Sequence, residues 1–238
     1  MRYLISGGGT GGHINPGIAI AKEILSREPD ADILFVGTKH GLESKLVPRE
    51  GFPIEYIEVS GFKRKLTADT LKTVVRLVKS FGAIKKIIKE FRPDAVIGTG
   101  GYVCGPVVFS ATLKKIPTLI HEQNAFPGVT NKILSHFVDS VAISFEESRA
   151  RFKGKAKVTL TGNPVRGELF SIDRTEARKK LELDPNKPLV VVFGGSLGAE
   201  HLNQCVADMV NLHGSEIPYQ LILATGMKHF EQVMKAIK

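Results

Sequence analysis

A glycine-rich segment at residues 7–12, followed by His13, is the first place in the chain where chemistry could occur. It follows a short apolar run and precedes residues with apolar spacing typical of a helix. Backbone amides that carry no side chains, placed at a helix N-terminus, suit a phosphate or diphosphate group. We therefore expect a diphosphate-bearing ligand here. The alternative is a tight strand-to-helix turn, which needs fewer than the five glycines present.

Gly7, Gly9 and Gly12 also satisfy the GxGxxG spacing of dinucleotide-binding loops. A nicotinamide-binding unit needs an acidic residue about 20 positions later, at the end of its second strand. That strand ends here at residues 36–38 with Val-Gly-Thr, and His13 stands where a P-loop carries lysine. A nicotinamide oxidoreductase is therefore the least favoured alternative.

His13 and Thr10 add polar side chains to the same loop. A histidine at the positive end of a helix tends to stay neutral, and a neutral imidazole can take a proton from a sugar hydroxyl. We expect His13 to act as a general base, with a capping or loop-packing histidine as the alternative. A second glycine-rich loop at residues 194–199 repeats the pattern and supplies the hydroxyl of Ser196. The two loops together predict a cleft with one loop on each wall.

Two further polar segments follow apolar runs, at residues 98–102 and at residues 121–124, His-Glu-Gln-Asn. Open α/β sheets bind ligands at the carboxyl ends of their strands, so both segments are expected to bind ligand. For the second, a loop-stabilising polar cluster is the alternative. It lacks the second histidine of an HExxH zinc site, and the pair Asp30 and Asp32 precedes its strand as a solvated turn would. Neither pattern predicts a metal site.

Length and composition indicate one large or two ordinary domains, since the chain has 238 residues of which 42% are hydrophobic. Cys104 and Cys205 lie far apart, which predicts neither a disulfide framework nor a thiolate metal site and fits a reducing cytoplasm. The N-terminus does not look like a secretory signal, and no apolar stretch approaches the roughly 20 residues of a spanning helix. Membrane contact is therefore expected to be peripheral.

The formal net charge of +9 is concentrated in residues 62–92, where ten basic and two acidic side chains give +8. A solvated face is one explanation, nucleic-acid binding is another, and an anionic lipid surface is a third. Apolar neighbours such as Phe62 and Phe81 suit lipid, whereas the chain has no tryptophan and no interleaved aromatic residues to stack bases. We expect an anionic membrane partner and no nucleic acid.

The elements that position these residues follow an α/β pattern with a parallel sheet. Strands are predicted at 2–6, 31–37, 53–59, 93–99, 117–122, 140–144 and 157–162, and helices at 16–27, 71–89, 105–114 and 130–137. A polar stretch follows, and the strand–loop–helix pattern then restarts near residue 188. We place a domain boundary at Pro164 and expect two nucleotide-fold-like units, the second incomplete because only two of its strands are present.

Five segments in this order resemble the bacterial MurG family of N-acetylglucosaminyltransferases: GGGTGGHINPGIAIA, GTGGYVCGPV, HEQNAFPGVTNKIL, TGNPVR and GGSLGA. The resemblance runs from Met1 to about Ala199. It implies the GT-B fold, in which two Rossmann-like domains face each other across a cleft. Residues 1–164 would form the N-terminal domain on the acceptor and membrane side, and residues 165–238 the first part of the C-terminal UDP-sugar-binding domain. The family continues beyond Lys238, so we expect a truncated chain with an incomplete donor site.

The same resemblance implies inverting transfer of N-acetylglucosamine from UDP-GlcNAc to undecaprenyl-diphosphate-linked N-acetylmuramyl pentapeptide in peptidoglycan synthesis. The enzyme would be peripheral, at the cytoplasmic face of the bacterial inner membrane, with no obligatory cofactor or metal. One alternative is a truncated, non-catalytic module that binds acceptor and membrane. Another is a related glycosyltransferase acting on a diacylglycerol lipid.

Roles for single residues also come from the resemblance. His13 would be the catalytic base. The donor side would comprise Thr10, Gly11, Gly12, Asn124, Arg166 and Ser196, of which Arg166 and Ser196 would hold the UDP diphosphate. The acceptor side would comprise Tyr102, His121, Glu122 and Gln123.

Overall fold

The computed structural model describes residues 1–59, 68–195, 198–214 and 216–237, and for residues 68–77 it describes the backbone only. The chain divides into two compact units, Met1–Leu169 and Phe170–Lys238. The boundary expected at Pro164 lies a few residues before this division and stays a prediction. The helices of the described part include none that is both long and apolar enough to cross a membrane.

The first unit is built on a seven-stranded sheet in the order β3-β2-β1-β4-β5-β6-β7. All neighbouring strands are parallel. The strands are β1 (Arg2–Gly7), β2 (Asp32–Gly37), β3 (Ile54–Tyr56), β4 (Ala95–Gly100), β5 (Thr118–Glu122), β6 (Ser140–Ile143) and β7 (Lys157–Leu160). Each of the seven predicted strands is therefore confirmed. The chain winds outwards from β1 in both directions, which opens a crevice at the carboxyl ends of β1 and β4.

Helices connect these strands and cover both faces of the sheet. They are α1 (Gly11–Arg27), α2 (Glu43–Arg49), α3 (Ala68–Phe91), α4 (Cys104–Leu113) and α5 (Val129–Leu134). The predicted start of the first helix, at Pro16, was wrong because the helix begins at Gly11. A proline this close to the N-terminus removes only the hydrogen bond to the carbonyl of Gly12. The second helix was not predicted, since its short sequence has Val47 as its one buried apolar residue.

The two faces of the sheet form two separate cores. Leu4 and Ile5 are adjacent in β1 and therefore point to opposite faces, and both are fully buried. Leu4 belongs to the cluster that includes Ile84 of α3 and Val107 of α4. Ile5 belongs to the cluster that includes Ile18 of α1. Full burial of such a side chain contributes about 1.5–3 kcal/mol, so both cores hold the central strands firmly in place.

The second unit contains two parallel strands, β8 (Leu189–Phe193) and β9 (Gln220–Ala224). Its helices are α6 (Arg174–Lys180), α7 (Glu200–His213) and α8 (Phe230–Ala236). The restart of the strand–loop–helix pattern is thus confirmed. The stretch expected to be a polar linker contains α6, which Asp173 caps by accepting hydrogen bonds from the backbone amides of Thr175 and Glu176. Aspartate followed three residues later by glutamate is a helix-start signal that the composition of this stretch obscured.

Candidate active site

The first glycine-rich loop leaves β1 at the centre of the sheet and enters α1 with Thr10 as the N-cap residue. Thr10 has extended backbone angles, φ −139° and ψ 155°, and its side chain makes no capping hydrogen bond. The first amides of a helix have no partner within it, so Gly11 and Gly12 are left to bind another group. A helix N-terminus with free amides suits an anion, as the sequence predicted.

Hydrogen bonds tie this loop and the first turn of α1 to the last two residues of β4. The backbone N–H of Gly8 donates to the carbonyl of Gly100, at 3.3 Å. The hydroxyl of Thr99 donates to the carbonyl of His13, at 2.7 Å. A Cβ on Gly7 would overlap the Thr99 side chain, so glycine is required where the ends of β1 and β4 meet. The carboxyl ends of β1 and β4 therefore form one connected structure.

His13 is half-buried in the first turn of α1 and is held through Nδ1. This nitrogen lies 3.1 Å from the carbonyl oxygen of Gly8 and 3.2 Å from the hydroxyl oxygen of Thr10. Because a carbonyl oxygen can only accept, Nδ1 carries a proton. The neutral ring then has its lone pair on Nε2. The structure thus gives His13 the tautomer that a base acting through Nε2 requires.

The β4 loop also packs against the ring of His13. A Cβ on Gly100 would lie 2.8 Å from Cδ2 and 3.2 Å from Nε2 of the imidazole, which is closer than side chains tolerate. Tyr102 lies against the glycine loop in the same way, because a Cβ on Gly9 would be 3.3 Å from its ring. The residues predicted on these two loops therefore lie together.

His121 and Glu122 are the last two residues of β5, as the strand predicted at 117–122 places them, and only Gln123 and Asn124 of the polar run follow the strand. The backbone of β5 pairs with β6 through both residues, which draws them into the sheet. Nε2–H of His121 donates to the carbonyl of Gly162 at 3.1 Å, and Nδ1 accepts from the amide of Gln123 at 3.1 Å. Burial lowers the pKa of His121. Both ring nitrogens are committed to the protein, which favours a structural role.

Glu122 is buried, and four donors surround its carboxylate. One oxygen accepts from the backbone and side-chain amides of Asn124, at 3.0 and 2.9 Å. The other accepts from the backbone amide of Gly128 at 3.1 Å and from the side chain of Asn131 at 2.9 Å. The carboxylate thereby shapes the loop after β5 and presents the exposed Asn124. Asn131 was not predicted from the sequence, because it lies within a short helix and outside the polar run.

Gln123 connects the loop after β5 to the end of β4, since its amide donates to the carbonyl of Thr99 at 2.8 Å. Its side-chain oxygen and that of Asn131 are buried without a hydrogen-bond partner, as is the side-chain oxygen of Asn203, among the residues that the structure describes. A buried acceptor without a donor is costly. Gln123 and Asn131 are therefore incompletely hydrogen-bonded, and both oxygens are closed to solvent.

Arg166 lies away from this cluster. Its guanidinium is 3.5 Å from the carboxylate of Glu50, and Glu50 is 2.6 Å from the ammonium of Lys22. Lys22 is eleven residues beyond the start of α1, which corresponds to roughly 16 Å along the helix. The structure thus does not bring Arg166 to the glycine loop, and its role with the donor stays a prediction.

The second glycine-rich loop follows β8 and precedes α7. Gly195 and Gly198 have φ of +84° and +77°, which favours glycine at both positions. A Cβ on Gly198 would overlap the carbonyl oxygen of Thr225, which also accepts a hydrogen bond from Asn203 at 2.9 Å. Ser196 lies outside the described residues. No cluster of three or more potential metal ligands occurs within the described ranges.

The chain matches known protein families along both units. The model of the glycosyltransferase family 28 N-terminal domain matches residues 3–143, and that of the family 28 C-terminal domain matches residues 189–238. A relative from Acetivibrio thermocellus is 59% identical over 100% of this chain and 64% of its own length. It is named UDP-N-acetylglucosamine--N-acetylmuramyl-(pentapeptide) pyrophosphoryl-undecaprenol N-acetylglucosamine transferase. A relative of the same name from Caldanaerobacter subterraneus is 56% identical, and the chain covers 65% of it.

Solved structures agree with these matches. The crystal structure of Acinetobacter baumannii MurG superposes with a TM-score of 0.68 at 29% identity, covering 99% of this chain and 63% of that one. A UDP-GlcNAc 2-epimerase from Neisseria meningitidis superposes with a TM-score of 0.66 over 100% of this chain and 69% of that one, at 13% identity, which shows the fold alone. The chain therefore spans about two thirds of the length of the proteins it matches.

These findings confirm the resemblance to the MurG family and the α/β fold of the GT-B type with Rossmann-like units. The cleft between the two units stays a prediction. Since the N-terminal family model alone matches more than half of the residues, the chain belongs to glycosyltransferase family 28.

Proposed function

We propose that the chain supplies the acceptor-side domain and part of the donor-side domain of an inverting N-acetylglucosaminyltransferase. The donor would be UDP-GlcNAc, and the acceptor would be undecaprenyl-diphosphate-linked N-acetylmuramyl pentapeptide. The names of the relatives support these substrates. The observation that carries the proposal is His13, whose Nδ1 is held by the carbonyl of Gly8 and whose lone pair is therefore on Nε2. The residue lies in the first turn of a helix whose Thr10 cap makes no side-chain hydrogen bond.

The proposed reaction is a single displacement. The acceptor hydroxyl oxygen attacks the anomeric carbon of N-acetylglucosamine while the bond from that carbon to the diphosphate oxygen breaks. The electron pair of that bond leaves with UDP, and the hydroxyl proton moves to Nε2 of His13. Attack opposite the leaving group inverts the anomeric centre. No cofactor is needed, because charge on the diphosphate groups can be stabilised by backbone amides and by a helix N-terminus.

The remaining residues receive supporting roles in this proposal. Thr10, Gly11 and Gly12 bind at the junction of donor sugar and acceptor diphosphate. Tyr102 and Gln123 contact the acceptor, as the resemblance implies. His121 and Glu122 position the loop after β5 rather than take part in chemistry, since their polar atoms are bonded within the protein. Asn124 and the pair Arg166 and Ser196 are assigned to the donor by resemblance.

A lipid-linked acceptor requires contact with a membrane, and we assign this contact to the first unit. Three phenylalanines form an edge-to-face chain, with ring centroids 6.3 Å apart for Phe81 and Phe109 and 5.1 Å apart for Phe109 and Phe137. Phe137 is 52% exposed and Val78 is 65% exposed. Basic side chains of α3 such as Lys85 lie on the same helix as Phe81. Apolar side chains beside cations suit the surface of an anionic leaflet. The protein would then be peripheral, at the cytoplasmic face of the inner membrane.

The transfer reaction is tested with radiolabelled UDP-GlcNAc and the lipid-linked muramyl pentapeptide. The chain is assayed alone and as a joined protein, in which it is fused to the C-terminal segment of the Acetivibrio relative. This segment is added because the relatives are longer than the chain. We expect labelled lipid product from the joined protein. Label on diacylglycerol instead would favour the related lipid glycosyltransferase. If neither acceptor is labelled although the joined protein folds and binds UDP, the proposal is wrong.

A non-catalytic module that binds acceptor and membrane is the second candidate, favoured by the exposed apolar side chains of the first unit. It predicts that the chain alone sediments with anionic vesicles at low salt and less at high salt. Replacing Val78 and Phe137 by serine should abolish sedimentation. Leu212→Ser, at a position of α7 that is 81% exposed, is the matched control and should leave sedimentation unchanged. Sedimentation by the chain without any transfer by the joined protein would support this candidate.

A further inference from the structure

Glu43, the first residue of α2, is fully buried although it carries a carboxylate. A buried charge requires strong hydrogen bonds. One oxygen of Glu43 accepts from the backbone amide of Thr38 at 3.0 Å and from its hydroxyl at 2.7 Å. The other accepts from the backbone amide of Gly9 at 3.1 Å. The glycine-rich loop is therefore bonded to a side chain that lies 34 residues further along the chain.

The backbone around this carboxylate is shaped to admit it. A Cβ on Gly8 would lie 2.8 Å from a carboxylate oxygen of Glu43, and a Cβ on Gly37 would lie 2.5 Å from its Cγ. A Cβ on Gly41 would overlap the carboxylate itself. Three glycines, one after β1, one at the end of β2 and one after β2, thus enclose one side chain. The enclosure holds the carboxylate of Glu43 in one position.

Gly9 N–H and Gly8 C=O belong to the same peptide group. The N–H donates to Glu43, and the C=O accepts from Nδ1–H of His13, each at 3.1 Å. We propose that Glu43 is a positioning residue for His13, acting through the Gly8–Gly9 peptide group. Its meaning for catalysis rests on the proposed function, whereas its effect on the histidine ring does not.

The physical basis is the polarisation of linked hydrogen bonds. A carboxylate that accepts from an amide N–H draws electron density towards the carbonyl oxygen of the same group, which then accepts more strongly. The bond from Nδ1–H of His13 is thereby strengthened. The stronger hydrogen bond fixes the tautomer and the orientation of the His13 ring, and it leaves Nε2 free as a base. It also stabilises the imidazolium that forms when Nε2 accepts a proton. An aspartate performs this task by direct contact in hydrolase triads.

The β4 loop keeps the Gly8–Gly9 peptide group in place. Gly8 N–H donates to Gly100, which holds the preceding peptide group. A Cβ on Gly101 would overlap the Gly8 carbonyl oxygen, so the β4 loop packs directly behind the acceptor of His13. Rotation of the Gly8–Gly9 peptide group would therefore break contacts with Glu43, His13 and the β4 loop at once.

The ring tautomer of His13 is the direct test, and it needs no enzyme activity. The chain is labelled with nitrogen isotope in histidine, and the ring nitrogens are observed by NMR at alkaline pH. In the wild type we expect a protonated Nδ1 and an unprotonated Nε2. A wild-type ring protonated mainly on Nε2 would overturn the proposal, without any variant being needed.

Glu43→Gln keeps the size of the side chain and removes the charge. We expect the fraction of Nδ1–H tautomer to fall and the amide proton of Gly9 to move upfield, because its acceptor is weaker. Glu55→Gln is the matched control, since it makes the same charge change at an exposed residue of β3 and should alter neither signal. Thr38→Val removes one donor but leaves the bond to Gly9, so it should retain the tautomer. Unchanged signals in a folded Glu43→Gln variant would overturn the proposal that Glu43 positions His13 through the Gly8–Gly9 peptide group.

The catalytic consequence is measured on the joined protein. For Glu43→Gln we expect kcat to fall by about 10–100-fold with little change in the KM for UDP-GlcNAc, as when a residue that orients a reactive group is lost. A fall in kcat with an unchanged tautomer would show that Glu43 acts by another route. A changed tautomer in a protein without transferase activity would support the positioning role of Glu43 and count against the proposed function alone.

Discussion

Gly101→Ala tests the contact between the β4 loop and the glycine-rich loop, and the chain offers a matched control. Gly101 and Gly51 have φ of +84° and +85°, so alanine must adopt a left-handed φ at both positions. A Cβ on Gly101 would overlap the carbonyl oxygen of Gly8, whereas a Cβ on Gly51 would meet nothing within 4 Å. The difference between the two variants therefore isolates the cost of the collision.

The expected magnitudes follow from this geometry. Left-handed backbone costs a residue with a Cβ about 1–2 kcal/mol, and reduced entropy of the unfolded chain returns about 0.4–1 kcal/mol. Gly51→Ala should therefore lower the free energy of unfolding by at most about 1.6 kcal/mol. Gly101→Ala must in addition displace a backbone carbonyl in a packed region, which costs about 1–3 kcal/mol more.

The assay is urea denaturation followed by far-ultraviolet circular dichroism, with wild type and both variants measured together. We expect the midpoint of Gly101→Ala to lie clearly below that of Gly51→Ala, with similar slopes. Because the Gly8 carbonyl is the acceptor of His13, the NMR signals of the His13 ring should also change in Gly101→Ala only. Equal midpoints for the two variants would refute the described packing of the two loops.

Three further perturbations test other contacts. Burial raises the pKa of the Cys104 thiol to about 12, so a thiol reagent should label the exposed Cys205 in the native chain and both cysteines after unfolding; rapid native labelling of Cys104 would contradict its burial. A hydrogen bond from lysine lowers the pKa of the Glu50 carboxyl, so its stabilisation exists above the ordinary value of 4.5 and is lost as pH falls through the lowered value. Glu50→Gln should therefore be less stable than wild type by about 1 kcal/mol or less at neutral pH, and the gap should close as the pH falls through the lowered pKa of Glu50. Glu122→Ala leaves buried donors without an acceptor and should lower the free energy of unfolding by about 2–4 kcal/mol in urea denaturation, where a loss below about 0.5 kcal/mol would count against the described network.

The sequence predicted the sheet well because its signals are local. The central strands β1, β4 and β5 contain apolar runs, as expected when helices cover both faces of a parallel sheet. The glycine-rich loop after β1 and the polar side chain of His13 were also visible as local patterns. β1 and β4 are neighbours in the sheet, so their carboxyl ends lie side by side. The contact between the loops that follow them is expected from this strand order.

Contacts between distant segments could not be predicted in this way. Glu43 lies in a loop-like stretch without apolar periodicity, and only the folded chain shows that it reaches Gly9. The role of Asn131 is likewise visible only in the folded chain, where its side chain donates a hydrogen bond to Glu122. The ion pair of Arg166 with Glu50 is another contact that sequence spacing does not encode, and the predicted role of Arg166 with the donor diphosphate stays a prediction.

The central claim is that Nε2 of His13 accepts the proton of the attacking hydroxyl, and single-turnover transfer by the joined protein tests it most directly. His13→Ala is compared with His213→Ala, a replacement of an exposed histidine at the end of α7. General-base catalysis contributes about 10²–10⁴-fold, so His13→Ala should slow the labelled transfer by that factor while UDP binding and the circular dichroism spectrum remain those of wild type. His213→Ala should transfer at the wild-type rate. A His13→Ala protein that transfers N-acetylglucosamine as fast as wild type would contradict the account.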